Sequence, residues 1–100
     1  MDPAIPNIYI SDVVVSTAGR DQGSLYYVIS TDEMFLMLVN GKDRTLDKPK
    51  RKKRRHVQKV LRSETRVAEK LRSGDKVLNS ELRRDLAFLA SHMQANNLGG

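Results

Sequence analysis

The stretch that decides the fold is DVVVSTAGRDQGSLYYVI, residues 12–29. Its apolar run Val13-Val14-Val15 stops at a GRDQG segment, residues 19–23, and resumes as LYYVI, residues 25–29. Apolar runs rich in β-branched and aromatic residues on both sides of a glycine-bearing break predict a strand, a tight loop and a second strand. The two glycines indicate a backbone with positive φ or one that passes close to another group, and the Arg-Asp pair between them can stiffen the loop tip.

Two adjacent tyrosines, Tyr26 and Tyr27, stand in the second predicted strand. Side chains of neighbouring strand residues point to opposite faces of a sheet. We therefore expect one tyrosine in the core and the other exposed beside the glycine loop.

The next segments predict further short strands. MFLMLV, residues 34–39, is the most apolar run of the chain, and it ends at Asn40-Gly41, a strong hairpin signal. We expect a return strand at residues 44–46 and a final strand at residues 56–61. Connections this short leave no room for crossover helices, so the sheet should be antiparallel, in a small, partly closed barrel of about five strands.

The positive charge of the chain is concentrated in one block. Residues 1–40 carry one Lys or Arg against five Asp and Glu, whereas residues 41–72 carry fourteen against four, a net charge of +10. Pro49 is followed by six consecutive cations, residues 50–55. Mutual repulsion in such a run disfavours a helix, so we expect a basic loop over residues 47–56. Blocks of one sign are typical of charged tails or of surfaces that contact a polyanion.

A Gly-Arg-Asp-x-Gly loop between two strands resembles the KOW motif of RNA-binding and ribosome-bound proteins. The whole chain resembles the small KOW-domain RNA-binding proteins of Gram-positive bacteria. The resemblance implies an SH3-like barrel over residues 1–61 and a glycine loop that contacts RNA, most plausibly ribosomal RNA of the large subunit. In that family pattern Gly19 and Gly23 let the backbone approach the RNA, Arg20 makes a charge-assisted contact and Asp21 orients it, while Gln22 has no assigned role.

The basic run extends this predicted surface, because adjacent cations release counterions when they contact phosphate. The predicted RNA-binding residues are Gly19, Arg20, Asp21, Gly23, Lys48, Lys50, Arg51, Lys52, Lys53, Arg54, Arg55, His56 and Lys59. Two alternatives remain for the run itself: a solvated charged loop without specific contacts, or a nuclear-import signal, which the letters KRKKRR also fit.

Beyond Arg62 the pattern changes to helical, and residues 62–94 predict a helical hairpin. Ser63 is placed to cap a short helix that ends at Gly74, and Asn79 or Ser80 to cap a second one. A single apolar stripe follows the second helix, formed by Leu82, Leu86, Leu89 and Met93. This stripe should pack on the barrel, or else bind a protein partner, which would make the chain an interaction module of the transcription or translation machinery. We expect residues 95–100 to be a disordered tail.

Other classes of function find little support in the composition. The chain has no cysteine and only two histidines, and no nucleophile-and-base pair or ligand-spaced cluster can be recognised. We therefore expect a non-enzymatic protein without cofactor or metal. No apolar run approaches the roughly 20 residues of a membrane span, and the N-terminus lacks the layout of a signal peptide, which predicts a cytoplasmic location.

Overall fold

Five strands are followed by two helices in the computed structural model, which describes residues 7–99, with side chains as far as Met93. The strands are β1 (Asp12–Ser16), β2 (Leu25–Thr31), β3 (Phe35–Val39), β4 (Lys50–Lys53) and β5 (Val57–Arg62). A 3-10 turn, Arg54–His56, links β4 to β5. The helices are α1 (Arg66–Ser73) and α2 (Asn79–Gly99). The predicted fold class, mainly β with C-terminal helices, is confirmed.

All strand pairs are antiparallel, and the order across the sheet is β4-β3-β2-β1-β5. The first strand therefore lies between its hairpin partner β2 and the last strand β5. Val14 pairs with Tyr26 on one side of β1 and with Lys59 on the other. Register shifts in the β1–β5 and β2–β3 pairs are the irregularities that bend a small sheet towards a barrel.

Both faces of the sheet are covered, which corrects the expectation for the paired tyrosines. The inner cluster lines the barrel and contains Ile8, Val14, Tyr26, Val28, Leu36, Leu38 and Val57. The outer cluster joins the sheet to the helices and contains Val13, Tyr27, Val39, Val67, Ala68, Val77, Leu82 and Leu86. Tyr26 and Tyr27 do point to opposite faces, but both are buried, because the helices cover the second face. The expectation of one exposed tyrosine was wrong.

The basic run is not a loop over its whole length, because Lys50–Lys53 form strand β4. They pair with β3 so that Lys52 lies opposite the buried Leu36 and Arg51 lies opposite Met37. Alternation sends successive cations to opposite faces of the strand, which relieves the repulsion that argued for a loop. The final strand begins at Val57 rather than at His56.

The connection between β3 and β4 also differs from the predicted tight hairpin. Gly41 does take positive φ, at 77°, but the predicted return strand at residues 44–46 is replaced by turns and one isolated bridge, Thr45 to Lys48. Helix α2 holds this connection, since the Asn79 side-chain oxygen accepts a hydrogen bond from the Leu46 backbone at 3.0 Å. The partner of the segment is thus a helix, which a local turn signal does not specify.

The helices begin at caps other than those predicted. Thr65, not Ser63, caps α1 by accepting a hydrogen bond from the Ala68 amide, and Gly74 ends that helix with φ of 78° as expected. At the start of α2 the Glu81 carboxylate accepts from the Leu78 amide at 3.0 Å, so the cap lies one residue before Asn79. Helix α2 continues to Gly99, through most of the range expected to be a tail; Gly100 and the side chains after Met93 lie outside the described residues.

The apolar stripe of α2 packs on the chain's own barrel. Leu82 and Leu86 are buried in the outer cluster, and Leu89 packs against that cluster. Polar contacts reinforce the same junction: the Tyr27 hydroxyl donates to Asp85, and Arg83 donates to the Gly41 carbonyl at 2.6 Å. The larger part of the stripe is therefore not available to a protein partner in this fold.

Neither helix of residues 7–99 combines the length and the apolar character that a membrane crossing requires.

Candidate nucleic-acid interface

The glycine loop closes the β1–β2 hairpin with its own backbone hydrogen bonds. Gly19 and Gly23 have φ of 85° and 93°, a region that side-chain-bearing residues rarely enter. The Gly23 amide donates to the Ser16 carbonyl at 2.8 Å, and the Ser24 amide donates to the Asp21 carbonyl at 2.9 Å. The positive φ that the two glycines predict is thus observed, and Arg20 lies exposed between them.

Asp21 turns inward from this loop instead of towards Arg20. Its carboxylate accepts hydrogen bonds from the Ser16 hydroxyl at 2.9 Å and the Tyr26 hydroxyl at 2.8 Å. The Lys52 ammonium lies 2.8 Å from the same carboxylate and the Lys50 ammonium 3.3 Å from it. The loop that was expected to present Asp21 to RNA uses this side chain to hold itself against strand β4.

Electrostatics show how firmly this carboxylate is held. Burial would raise the pKa of Asp21, but the hydrogen bonds from Lys52, Tyr26, Ser16 and Lys50 outweigh it and hold the pKa well below its usual range. Burial and the hydrogen bond to Asp21 raise the pKa of Tyr26 to about 12. Asp21 is therefore ionised and Tyr26 neutral at every physiological pH, and the carboxylate neutralises a charge that β4 places inside the barrel.

Lys52 is the second half of this connection. Its side chain is only 8% exposed, and its ammonium also donates to the Ala18 carbonyl at 2.9 Å. At the other end of the loop, the Thr17 amide donates to the His56 carbonyl at 2.9 Å. The glycine loop, residues 17–24, and the basic segment, residues 48–56, therefore form one continuous surface, although 34 positions separate Ala18 from Lys52.

The remaining cations of the basic segment point outward or pair locally. Arg51 is exposed and its guanidinium lies 3.6 Å from the centre of the Phe35 ring, a cation–π contact that orients the side chain. Arg54 donates to the Asp32 carbonyl at 2.7 Å. Lys48 and Arg55 are exposed, whereas Lys53 is half-buried.

Lys59 of strand β5 has different contacts. Its ammonium pairs with the buried Asp12 at 3.0 Å and lies 5.7 Å from the Tyr9 ring. Among the described residues it makes no hydrogen bond or ion pair with the glycine loop or with β4. Lys59 therefore has a structural partner of its own, which the other predicted RNA-binding residues do not share.

Phe35 lies on this surface, although it was not among the predicted RNA-binding residues. It is the second residue of the apolar run at residues 34–39, and the composition of that run indicates core. Its position one residue before the buried Leu36 places it on the other face of β3, where it pairs with Lys53 of the basic strand. The alternation of side chains along the run indicates that Phe35 and Leu36 face opposite sides of β3. The position of Phe35 beside the basic strand follows only from the register of β3 against β4.

Chemically, the surface offers positive charge and backbone amides. Among the described residues, no group of three or more His, Asp or Glu side chains is placed to hold a metal ion. Besides Lys48, its exposed cations are the arginines Arg20, Arg51 and Arg55, whose planar guanidinium groups can bind phosphate through two hydrogen bonds at once.

In comparisons with known proteins, no family model and no curated protein matches the sequence. The resemblance to KOW-domain proteins stays a prediction that rests on the glycine loop and the strands on either side of it.

Proposed function

We propose that this chain is a non-catalytic, cytoplasmic RNA-binding protein that contacts structured RNA, specifically ribosomal RNA of the large subunit. The observation that supports the proposal best is the joining of the glycine loop to the basic segment by Lys52, which contacts both Asp21 and the Ala18 carbonyl. A rigid loop beside a row of cations is a surface on which phosphates can be held at fixed positions.

The residues of this surface divide into two roles. Arg20, Arg51 and Arg55 are exposed and would contact phosphate directly. Asp21 and Lys52 bind each other and position the loop. The exposed Gly19 and Gly23 leave the loop backbone open to a close approach by a phosphate or a base.

The test compares two triple variants of equal charge. In the first, Arg20, Arg51 and Arg55 become glutamine; in the control, the exposed Lys42, Arg66 and Lys76 become glutamine. Binding of a structured fragment of large-subunit ribosomal RNA is measured across a range of salt concentrations. We expect the first variant to lose affinity and its salt slope to fall by roughly two to three units, because each phosphate contact contributes about 0.9.

Equal losses in the two variants would mean that net charge alone attracts RNA, and the proposed surface would be wrong. Sedimentation of a cell lysate tests the choice of RNA separately. The natural protein should travel with the large ribosomal subunit, and the first variant should not. Binding that barely responds to salt would instead indicate an apolar protein interface.

A further inference from the structure

A cavity lies at the end of β1 away from the glycine loop. Its volume is about 260 Å³ and its lining consists of Tyr9, Ile10, Ser11, Asp12, Arg62 and Arg72. Strand β1 begins at Asp12, in this lining, and ends at Ser16, whose hydroxyl contacts Asp21. At a rise of about 3.3 Å per residue, the cavity and the loop are roughly 13 Å apart along the strand.

A strained turn forms one wall of the cavity. The Asp12 amide donates to the Tyr9 carbonyl at 3.0 Å, and Ser11 inside this turn has φ of 75°, the left-handed region that favours glycine. As a result, Tyr9 and Ile10 project outward, and Tyr9 is 58% exposed. Strain of this kind persists where the surroundings fix it, and it is common at binding sites.

Two arginines form the opposite wall. Arg72 donates through one terminal nitrogen to the Ser11 hydroxyl at 2.7 Å and to the Ser63 carbonyl at 2.9 Å. Its other terminal nitrogen makes a looser contact, 3.6 Å from the exposed Glu64 carboxylate. Arg62 pairs with the same Glu64 at 2.9 Å, and both of these side chains are exposed.

The charge left in the cavity is therefore positive. Among the described residues of the lining, Asp12 is the only carboxylate, and it is already paired with Lys59 at 3.0 Å and accepts a hydrogen bond from the Tyr9 amide at 2.8 Å. Glu64 reaches the arginines from outside the lining through a solvent-exposed contact, which an anion can displace at little cost.

We propose that this cavity binds one nucleotide of an RNA strand, with the base against Tyr9 and the phosphate between Arg62 and Arg72. Exposed aromatic rings bind unpaired bases by stacking, and paired guanidinium groups bind phosphate. The volume is near the lower limit of ligand cavities, which suits a single, partly enclosed unit. The inference rests on the proposed function and adds a second contact, for an unpaired nucleotide, at the other end of the barrel.

The test follows the backbone amides of Ser11, Asp12 and Arg62 by NMR in the full chain. The background is the variant with Arg20, Arg51 and Arg55 changed to glutamine, so that the glycine-loop surface is weakened. The probes are adenosine monophosphate, adenosine, inorganic phosphate and hexa-adenylate. We expect adenosine monophosphate to bind at least ten-fold more tightly than adenosine or phosphate alone, and hexa-adenylate to bind more tightly still.

Three variants identify the contacts. Tyr9→Leu keeps an apolar side chain but should remove the preference for adenosine monophosphate over phosphate, whereas Arg62→Gln should weaken both by several-fold. Glu64→Gln should strengthen binding two- to five-fold, because it removes the competing carboxylate. Lys42→Gln, a change at an exposed cation outside the lining and outside the candidate surface, should change neither the affinity for phosphate nor the preference for adenosine monophosphate.

Several results would overturn the inference. They are equal binding of phosphate and adenosine monophosphate, binding of hexa-adenylate no tighter than the monophosphate, and saturation of these amides by a short peptide carboxylate at lower concentration. These outcomes are separable from a failure of the proposed function, which would appear as equal RNA affinity in the two charge-matched triple variants.

Discussion

At the scale of single residues, the contacts of Asp21 hold the glycine loop in one conformation. Asp21 is the common acceptor for Ser16, Tyr26, Lys50 and Lys52. The Asp21→Asn change removes the charge and leaves the buried Lys52 ammonium without its partner. We expect a loss of about 2–4 kcal/mol in the free energy of unfolding, measured with urea, because breaking a buried pair from one side strands the other ion.

The control for this change is Asp47→Asn. Asp47 is an exposed carboxylate that accepts from the Thr45 hydroxyl, and its replacement should cost less than about 1 kcal/mol. If the two variants lose the same stability, the buried contacts of Asp21 do not stabilise the fold. The proposal that Asp21 positions the glycine loop would then be wrong.

The lowered pKa of Asp21 also has a pH dependence with a definite sign. Because the folded pKa lies below the unfolded value of about 3.9, Asp21 contributes stability above that value. The contribution is lost as the pH falls from about 5 towards the folded pKa. Urea unfolding of the natural chain should therefore weaken across this window more steeply than that of Asp21→Asn; parallel pH profiles would contradict the assignment.

At the scale of elements, the structure shows that the apolar stripe of helix α2 packs against the barrel. Leu86 is 6% exposed, whereas Phe88 on the same helix is 58% exposed. Leu86→Asp buries a charge and should lower the free energy of unfolding by about 4 kcal/mol or more, enough to unfold a small domain. Phe88→Asp should cost less than about 1 kcal/mol. Thermal unfolding by circular dichroism distinguishes them, and a stable Leu86→Asp chain would show that α2 does not pack on the barrel.

How far the elements could be predicted depends on whether their partners are local. The β1–β2 hairpin and the end of α1 at Gly74 follow from signals a few residues long, and they were predicted correctly. Strand β4 was missed because a run of cations reads as exposed loop; its inward face is stabilised by Asp21, about 30 positions away. Both predicted cap residues have distant partners instead: the Ser63 hydroxyl accepts from Tyr27, 36 residues away, and the Asn79 side-chain oxygen accepts from the Leu46 amide, 33 residues away.

At the scale of the whole molecule, Gly41 is a point where the backbone of the barrel lies directly against helix α2. A Cβ atom there would lie 2.2 Å from the Asn79 carbonyl oxygen and 3.0 Å from the Leu82 side chain. Gly41→Ala must therefore push α2 away from the sheet, in addition to the cost of positive φ. Gly74→Ala is the matched control, with nearly the same φ and no atom within 4 Å of the added carbon.

The two glycine variants differ by the close contact alone. We expect Gly41→Ala to lose about 1–3 kcal/mol more than Gly74→Ala, which pays only for its left-handed backbone. Urea unfolding monitored by both helical and tyrosine signals gives the difference. Equal losses would mean that α2 can shift without cost and that the two parts of the chain are not tightly joined.

The order of the strands explains why only part of the candidate surface could be predicted from the sequence. The charge block and the glycine loop were recognisable as separate features. Their contact through Lys52, and the removal of Asp21 and Lys59 from the exposed set, depend on the order of the strands in the sheet. Composition indicates how many cations are present, whereas the topology decides which of them face solvent.

The position of β4 in the sheet has one more consequence. It is the terminal strand of the described sheet, and β3 is its only strand neighbour there. A terminal strand with open hydrogen-bonding groups is a template on which a second chain can add and begin aggregation. Lys50 and Lys52 are paired with Asp21, so such an approach by another copy would bring the other two cations of the strand, Arg51 and Lys53, against those of the second molecule. The charges of this strand thus keep the molecules apart at the place where their backbones would otherwise pair.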